Sequence, residues 1–229
     1  MIGKKIIAII PARKGSKRIK NKNLIKLNGI PLINHTIEHA INSKLLSEIY
    51  ISTNCERIKS NCKKFPVKIM DRPANISKDK SSSELAILDV LEKIKSQGDA
   101  EPEYIVMLQC TSPIRKGNDI DNAIRKIKKE KANSLMSVTD FRRFIWTKKG
   151  EKFLPINYNY ESRKRTQDIN KQYIENGSIY ITKVTEFRKK KNRLCPKISI
   201  YEMDLWSSFD IDESDDLKLI SLILKSNLA

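Results

Sequence analysis

Short apolar runs and longer stretches of helical period take turns along most of this sequence. Residues 5–10, 49–53, 67–70, 104–108 and 134–138 each read as a brief buried strand. Between most of them, apolar side chains recur at helical spacing: Ile33, Ile37 and Ile41; Ile87, Leu91 and Ile94; Ile120, Ile124 and Ile127. A succession of strand–helix–strand units builds a mostly parallel α/β sheet with helices on both faces. The apolar helix faces are expected to cover that sheet as core rather than touch a cofactor. From Asp140 to about Tyr173 the rhythm breaks into charged and aromatic sequence, including Phe141, Arg142, Arg143, Phe144, Trp146, Tyr158, Tyr160 and Arg163. Such an excursion in a compact domain usually serves function or an interface. The chain then resumes with a strand at 178–182, a helix near 184–193, a strand near 198–202 and a closing helix from about Asp215. With no internal repeat and no low-complexity linker, the expectation is one domain over residues 1–229, carrying residues 140–173 as an excursion.

The longest early apolar run, Ile6 to Ile10, stops at Pro11, too short for a signal segment. No later run approaches the roughly 20 apolar residues that cross a bilayer, so a cytoplasmic protein without membrane partners is expected. Cys55, Cys62, Cys110 and Cys195 form no C-x-x-C pair and have no histidine at zinc-ligand spacing, which favours free structural thiols. His35 and His39 stand four apart on one helix, a spacing open to a metal face but read here as an ordinary surface pair. The formal charge of +18 admits nucleic acid and equally suits a nucleoside triphosphate. The lysines are scattered rather than interleaved with aromatics, so nucleic acid stays the secondary reading.

In an open parallel sheet, ligands sit beyond the carboxyl ends of the strands, and three polar loops fall there. The first, after strand one, runs Pro11, Ala12, Arg13, Lys14, Gly15, Ser16, Lys17, Arg18 and on through Lys22 and Asn23. Exposed backbone N–H groups among cations suit a triphosphate; a solvated basic loop is the plainer alternative, and no Walker motif is present. The second holds Gln109, Thr111, Ser112, Pro113 and Arg115, whose hydroxyls and amide suit sugar hydroxyls, although Thr-Ser-Pro is also a common turn. The third, Phe209-Asp210-Ile211-Asp212, sets carboxylates two residues apart, on one side if extended. They are candidate Mg²⁺ ligands, or else the cap of the last helix, a task open to Asp212 or Ser214.

Together these motifs resemble the acylneuraminate cytidylyltransferase family. The run Ile9 to Arg18 with Lys22 and Asn23 matches its nucleotide signature. Arg72-Pro73-Ala74 with Asp79 and Ser82, the Gln109 loop, Arg165 with Gln167-Asp168, Tyr173 with Glu175-Asn176-Gly177-Ser178, and Asp210-Ile211-Asp212 follow in the family's order. The resemblance covers essentially the whole chain. It implies a Rossmann-like nucleotidyltransferase that moves CMP from CTP to the anomeric hydroxyl of a sialic-acid-like nine-carbon sugar acid, releasing pyrophosphate. Ala12, Arg13, Gly15, Ser16, Lys22, Asn23, Arg72 and Ser82 would bind the nucleotide, and Gln109, Thr111, Ser112, Arg165, Gln167, Asp168 and Asn176 the sugar acid. Asp210 and Asp212 would hold Mg²⁺, with Arg13, Lys22 and Asp212 catalytic and no histidine base. It also implies a homodimer in which the excursion packs on the partner and Arg165 reaches the partner's sugar site. Lys14 and the pair Lys80-Ser81 depart from the family's usual Gly and Thr-Ala. Legionaminate, pseudaminate or an eight-carbon keto-sugar acid remain alternative acceptors, although Glu175-Asn176-Gly177 resembles the sialate and legionaminate type. A catalytically silent homologue is disfavoured by the intact Asp210 and Asp212.

Overall fold

The computed structural model describes residues 5–16 and 18–226; Lys17 of the basic loop and the chain's extreme ends lie outside the described residues. Strand β1 (Ile6–Pro11) explains the architecture, since all but its last residue are buried. A strand apolar on both sides must lie inside a sheet covered on both faces. Accordingly β1 pairs in parallel with β4 (Glu48–Thr53) on one side and β6 (Tyr104–Leu108) on the other. Between β1 and β4 come a two-residue ribbon, β2 (Lys26–Leu27) with β3 (Ile30–Pro31), and helix α1 (Leu32–Ile41). Then follow α2 (Glu56–Cys62), β5 (Lys68–Asp71) and α3 (Ser83–Ser96) before β6, and α4 (Asp119–Glu130) and β7 (Ser134–Asp140) after it. The remaining elements are β8 (Trp146–Lys149), β9 (Lys152–Pro155), β10 (Tyr173–Lys183), α5 (Val184–Lys190), β11 (Ile198–Met203) and α6 (Ser214–Lys225).

The seven-stranded sheet has the order β11-β7-β10-β6-β1-β4-β5. All its pairings are parallel except those of β10, which runs against both β6 and β7. Alternation along β1 sorts the core into two layers. Ala8 and Ile10 pack with Ile33 and Ile37 of α1, Ile120, Ile124 and Ile127 of α4, and Ile220 and Ile223 of α6. Ile7 and Ile9 face the other way, against Ile87, Leu91 and Ile94 of α3 and Val184 and Phe187 of α5. The periodic positions are therefore core, as their spacing indicates, with the exception of Ile41, which ends α1 and is exposed to solvent.

Some elements differ from the sequence expectation. The strand expected at 178–182 begins five residues earlier, at Tyr173, and so takes in the end of the excursion. Within the excursion, β8 and β9 pair as an antiparallel hairpin, which the sequence reading did not anticipate. All four cysteines are free and buried. His35 and His39 are not a surface pair. Both are half-buried; His35 Nε2 lies 3.1 Å from the Leu27 carbonyl, and burial is the main cause that pushes the His39 pKa down to about 3.

Candidate active site

The loop after β1 turns at Gly15, whose φ of +85° is easy for glycine and strained for other residues. That turn folds the basic loop back over the carboxyl ends of β1 and β4. Ala12 extends β1 by donating to the Ser52 carbonyl at 2.9 Å, and the Lys14 backbone is anchored on Asn54 Oδ1 at 2.6 Å. Arg13, Gly15, Ser16, Lys22 and Asn23 then line an open cleft of about 200 Å³ together with Arg72, Ser81, Ser83 and Thr111. The site residues expected to bind nucleotide thus meet in one place, apart from two. Ala12 is buried in the loop's base, and Ser82, the exposed N-cap position of α3, leaves the cleft wall to Ser81 and Ser83. Lys14 is exposed and does not line the cleft.

Cations in the cleft are held by local partners. Arg13 Nη1 pairs with Asp79 Oδ1 at 2.9 Å, and Asn23 Nδ2 donates to the Arg13 carbonyl at 3.3 Å. Arg72 is buried and donates from Nε and Nη2 to the Ile76 carbonyl; burial and then the Arg13 charge lower its pKa. Asp79 answers part of the Arg13 charge, but the described cleft lining carries Arg13, Lys22 and Arg72 and no carboxylate, which suits it to an anion.

Beside the cleft, the acidic loop crosses back onto the strand ends. Ile211 donates to the Thr111 carbonyl at 2.7 Å, tying this loop to the one after β6. Lys22 Nζ bonds both the Ile211 carbonyl at 2.7 Å and Asp212 Oδ1 at 2.8 Å, while Arg18 Nη1 pairs with Asp212 Oδ2 at 3.0 Å. Lys22 first, with local burial opposing and Arg18 assisting, holds the Asp212 pKa below the usual carboxylate range. Asp210 is pushed the other way. The residue is exposed overall, yet desolvation by the protein around its carboxyl is the first cause of its raised pKa, with Asp212 and Asp216 adding repulsion. Capping does not account for Asp212, because Glu213 is the N-cap of α6 and Asp216 accepts the backbone N–H groups of both Asp212 and Glu213, at 2.8 and 2.7 Å.

Mg²⁺ takes one or two carboxylates and draws its other ligands from phosphate and water. A pair of carboxylates that repel one another beside an anion cleft fits that donor set. Asp210 and Asp212 are the residues here that could hold it.

Farther along the strand ends, the loop after β6 meets a bulge in β10. The register with β7 shifts between Glu175 and Tyr180, and Gly177 has φ +69°. Ser112 Oγ donates to the Asn176 carbonyl at 3.2 Å, and Thr111 Oγ1 lies 3.5 Å from Gln109 Oε1. Asn176 itself differs from expectation. Its side chain is buried and spent internally, Oδ1 accepting from Ser137 Oγ at 2.5 Å and from the Ser178 N–H at 3.2 Å, and Nδ2 directed to Thr139 Oγ1 at 3.4 Å. It shapes the bulge instead of offering its amide to the cleft. Arg165, Gln167 and Asp168 are exposed in the excursion and do not line the nucleotide cleft; Arg165 Nε pairs with Asp168 Oδ2 at 2.6 Å. Sequence reasoning gave no separate role to Arg18, Asp79, Ser81, Ser83 or Asp216. Arg18 and Asp79 lie within or beside quoted motifs, whereas the Asp216 contact has only its spacing from Glu213 as a signal.

A twisted, mostly parallel sheet with a basic anion cleft at its carboxyl edge defines a Rossmann-like nucleotidyltransferase. The cytidylyltransferase family model matches residues 7–227, and the chain belongs to that family. It is 30% identical over 229 residues to a pseudaminic acid cytidylyltransferase of Campylobacter jejuni, covering 97% of each chain. It is also 30% identical over 217 residues to an N-acylneuraminate cytidylyltransferase of Streptococcus agalactiae, covering 93% of this chain and spanning 51% of that longer relative. Among solved structures, CMP:2-keto-3-deoxy-manno-octonic acid synthetase in complex with CTP shares the fold, with a TM-score of 0.70 at 17% identity and coverage of 97% and 99%. These matches leave the nucleic-acid reading without support. Among the described residues, no helix is long and apolar enough to cross a membrane.

Proposed function

We propose that this chain transfers CMP from CTP to the anomeric hydroxyl of a sialic-acid-like nine-carbon sugar acid, with release of pyrophosphate. The observation that carries the reading is the convergence of Arg13, Lys22 and Arg72 with Thr111 on one strand-end cleft in a member of the cytidylyltransferase family. The acceptor hydroxyl would attack the α-phosphorus in line, its oxygen–phosphorus bond forming as the bond to the pyrophosphate oxygen breaks. Chemistry of this kind depends on positioning and charge neutralisation more than on a strong base. Arg13 and Lys22 would offset charge gathering on the leaving pyrophosphate. Mg²⁺, when bound by Asp210 and Asp212, supplies further positive charge against phosphate oxygens. The Gln109 loop would orient the acceptor. Half-buried His39, neutral well below physiological pH, is not needed as a base.

The acceptor class rests on the relatives that share the family, whose named substrates, pseudaminic and N-acylneuraminic acid, are both nine-carbon keto-sugar acids. The inward-facing Asn176 removes the Glu175-Asn176-Gly177 motif as an argument for one acid over another. Incubating the protein with CTP, Mg²⁺ and a panel of such acids, pseudaminate included, while measuring pyrophosphate release tests the reading. No release with any acid would overturn it.

A homodimer built on the excursion belongs to the same proposal. Trp146, Phe153, Ile156 and Tyr160 are exposed there, an apolar surface that a second copy would cover, and Arg165 extends from the same segment. A cytoplasmic location is proposed because CTP is supplied there.

A further inference from the structure

Arg115 closes the loop that follows β6, and its side chain folds back beneath that loop. The residue is only 6% exposed. Its Nη2 donates to the Gln109 carbonyl at 2.8 Å and to the Ser178 carbonyl at 2.9 Å, and Nη1 donates to Thr36 Oγ1 at 3.2 Å. All of these acceptors are uncharged, and the buried Nε makes no hydrogen bond. Burial pulls the guanidinium down to a pKa of about 10, so it keeps its charge at neutral pH, while burial first and Arg115 second keep the neighbouring His39 neutral. Burying a cation that ion-pairs with no carboxylate is costly even with the charge of Asp119 nearby to favour it, and an apolar side chain would fill the same volume without that cost.

What Arg115 gains is visible in the groups it joins. Gln109 is the first residue after β6, Ser178 belongs to the β10 bulge, and Thr36 lies on α1. Above this junction the loop and the bulge touch at close range. A Cβ on Gly177 would stand 3.2 Å from Ser112 Oγ, a tight approach, and 3.7 Å from Gln109 Oε1, so Ser112 and the Gln109 side chain both lie over this glycine, Gln109 at ordinary van der Waals distance from where a Cβ would be.

We propose that Arg115 is a positioning residue for the acceptor: Nη2 joins the Gln109 carbonyl to the Ser178 carbonyl, the other arm of the planar fork ties that pair to Thr36 of α1, and the Gln109 side chain is thereby held over Gly177 on the sugar-acid side of the cleft. The proposal rests on the reading of the chain as a CMP transferase whose Gln109 loop faces the sugar acid. Lysine would keep the charge but not the fork, since a single Nζ at the end of a flexible stem does not reproduce three fixed bonds. A misplacement of about 1 Å at a reacting group costs on the order of 10²-fold in rate.

The test is Arg115→Lys, compared with wild type in steady-state kinetics and in amide hydrogen exchange. The expected result is an acceptor KM raised about 10-fold or more with the KM for CTP within about 2-fold. Exchange should rise at residues 109–112 and 177–179 and stay at the wild-type level in β1, β4 and β5. A purely structural role predicts a lower Tm with both KM values unchanged or moving together, and that outcome, or wild-type exchange at the two segments, overturns the proposal. If Arg115→Lys does not fold, Thr36→Val, which removes one of the bonds, takes its place, and an unchanged acceptor KM with unchanged exchange then overturns it. If wild type releases no pyrophosphate with any acid, the functional reading fails separately, and the exchange measurement alone decides whether Arg115 is the clamp.

Discussion

Replacing Asp212 with Asn keeps the shape of the side chain and removes its charge, and the structure gives the two consequences different sizes. The carboxylate makes ion pairs to Lys22 at 2.8 Å and Arg18 at 3.0 Å, with its own side chain 50% exposed. Pairs of that exposure are screened by water and contribute up to about 1 kcal/mol each. The helix cap is untouched, because Asp216 receives the N–H groups at the start of α6. The variant should therefore lose no more than about 1–2 kcal/mol, a drop in Tm of roughly 2–8 °C for a chain of this size. Turnover should fall much further. Removing one preorganised charged or polar group from the reacting centre costs on the order of 10²–10³-fold in kcat, and Asp212→Asn is expected to lose at least that, with CTP binding only modestly weakened and Asp210→Asn behaving alike. Pyrophosphate release across a Mg²⁺ titration, with thermal unfolding on the same samples, measures both. A kcat near wild type with an unchanged Mg²⁺ dependence would remove the metal site from this account.

Lys22→Ala should raise the KM for CTP and lower kcat, whereas Lys14→Ala, whose side chain is exposed outside the cleft, should change either by less than about 2-fold; equal losses would mean that the loop acts as a diffuse basic patch. Mixing inactive Arg165→Ala subunits with inactive Asp212→Asn subunits should restore part of the activity if Arg165 serves the partner's site, and hybrids that form yet stay inactive would place Arg165 elsewhere. Glu48 is bonded by Lys68, Tyr50 and Lys5, which together outweigh the opposing effect of its burial and bring its pKa from 4.5 to about 2. Its folded pKa lies below the unfolded one, so the stabilisation is complete above about pH 4.5 and disappears as pH falls towards 2; Glu48→Gln should lower stability at pH 7 by at most about 3 kcal/mol and flatten the acid limb of the Tm profile in that window. An unaltered acid limb would show that the cluster around Glu48 is energetically neutral.

The parts of this molecule that announce themselves in the sequence are those decided by neighbours a few residues away. Strand β1 is apolar on both faces and so reads as central, and Ile33 with Ile37, or Ile120 with Ile124, fall on one helix face whatever surrounds them. Helix α2 carries little helical period because its buried residues are just Ile58 and Cys62, and the β8–β9 hairpin carries no alternation because almost all of it is exposed. The polar loops could be placed at the carboxyl edge by topology alone, since parallel strands carry every such loop to the same side. Partners within that edge are another matter. Lys22 and Asp212 stand 190 residues apart and meet only because the loop before α6 crosses back over the strand ends, and nothing local to either residue encodes the contact. Asn176 shows the same limit from the other direction. Its motif was legible, but the side chain points inward because the bulge shifts the register of β10 against β7, and a shift in a strand decides which face a residue occupies. The residue types at this site thus carry the chemistry, whereas the long-range strand order and one bulge decide which of them reach the ligand.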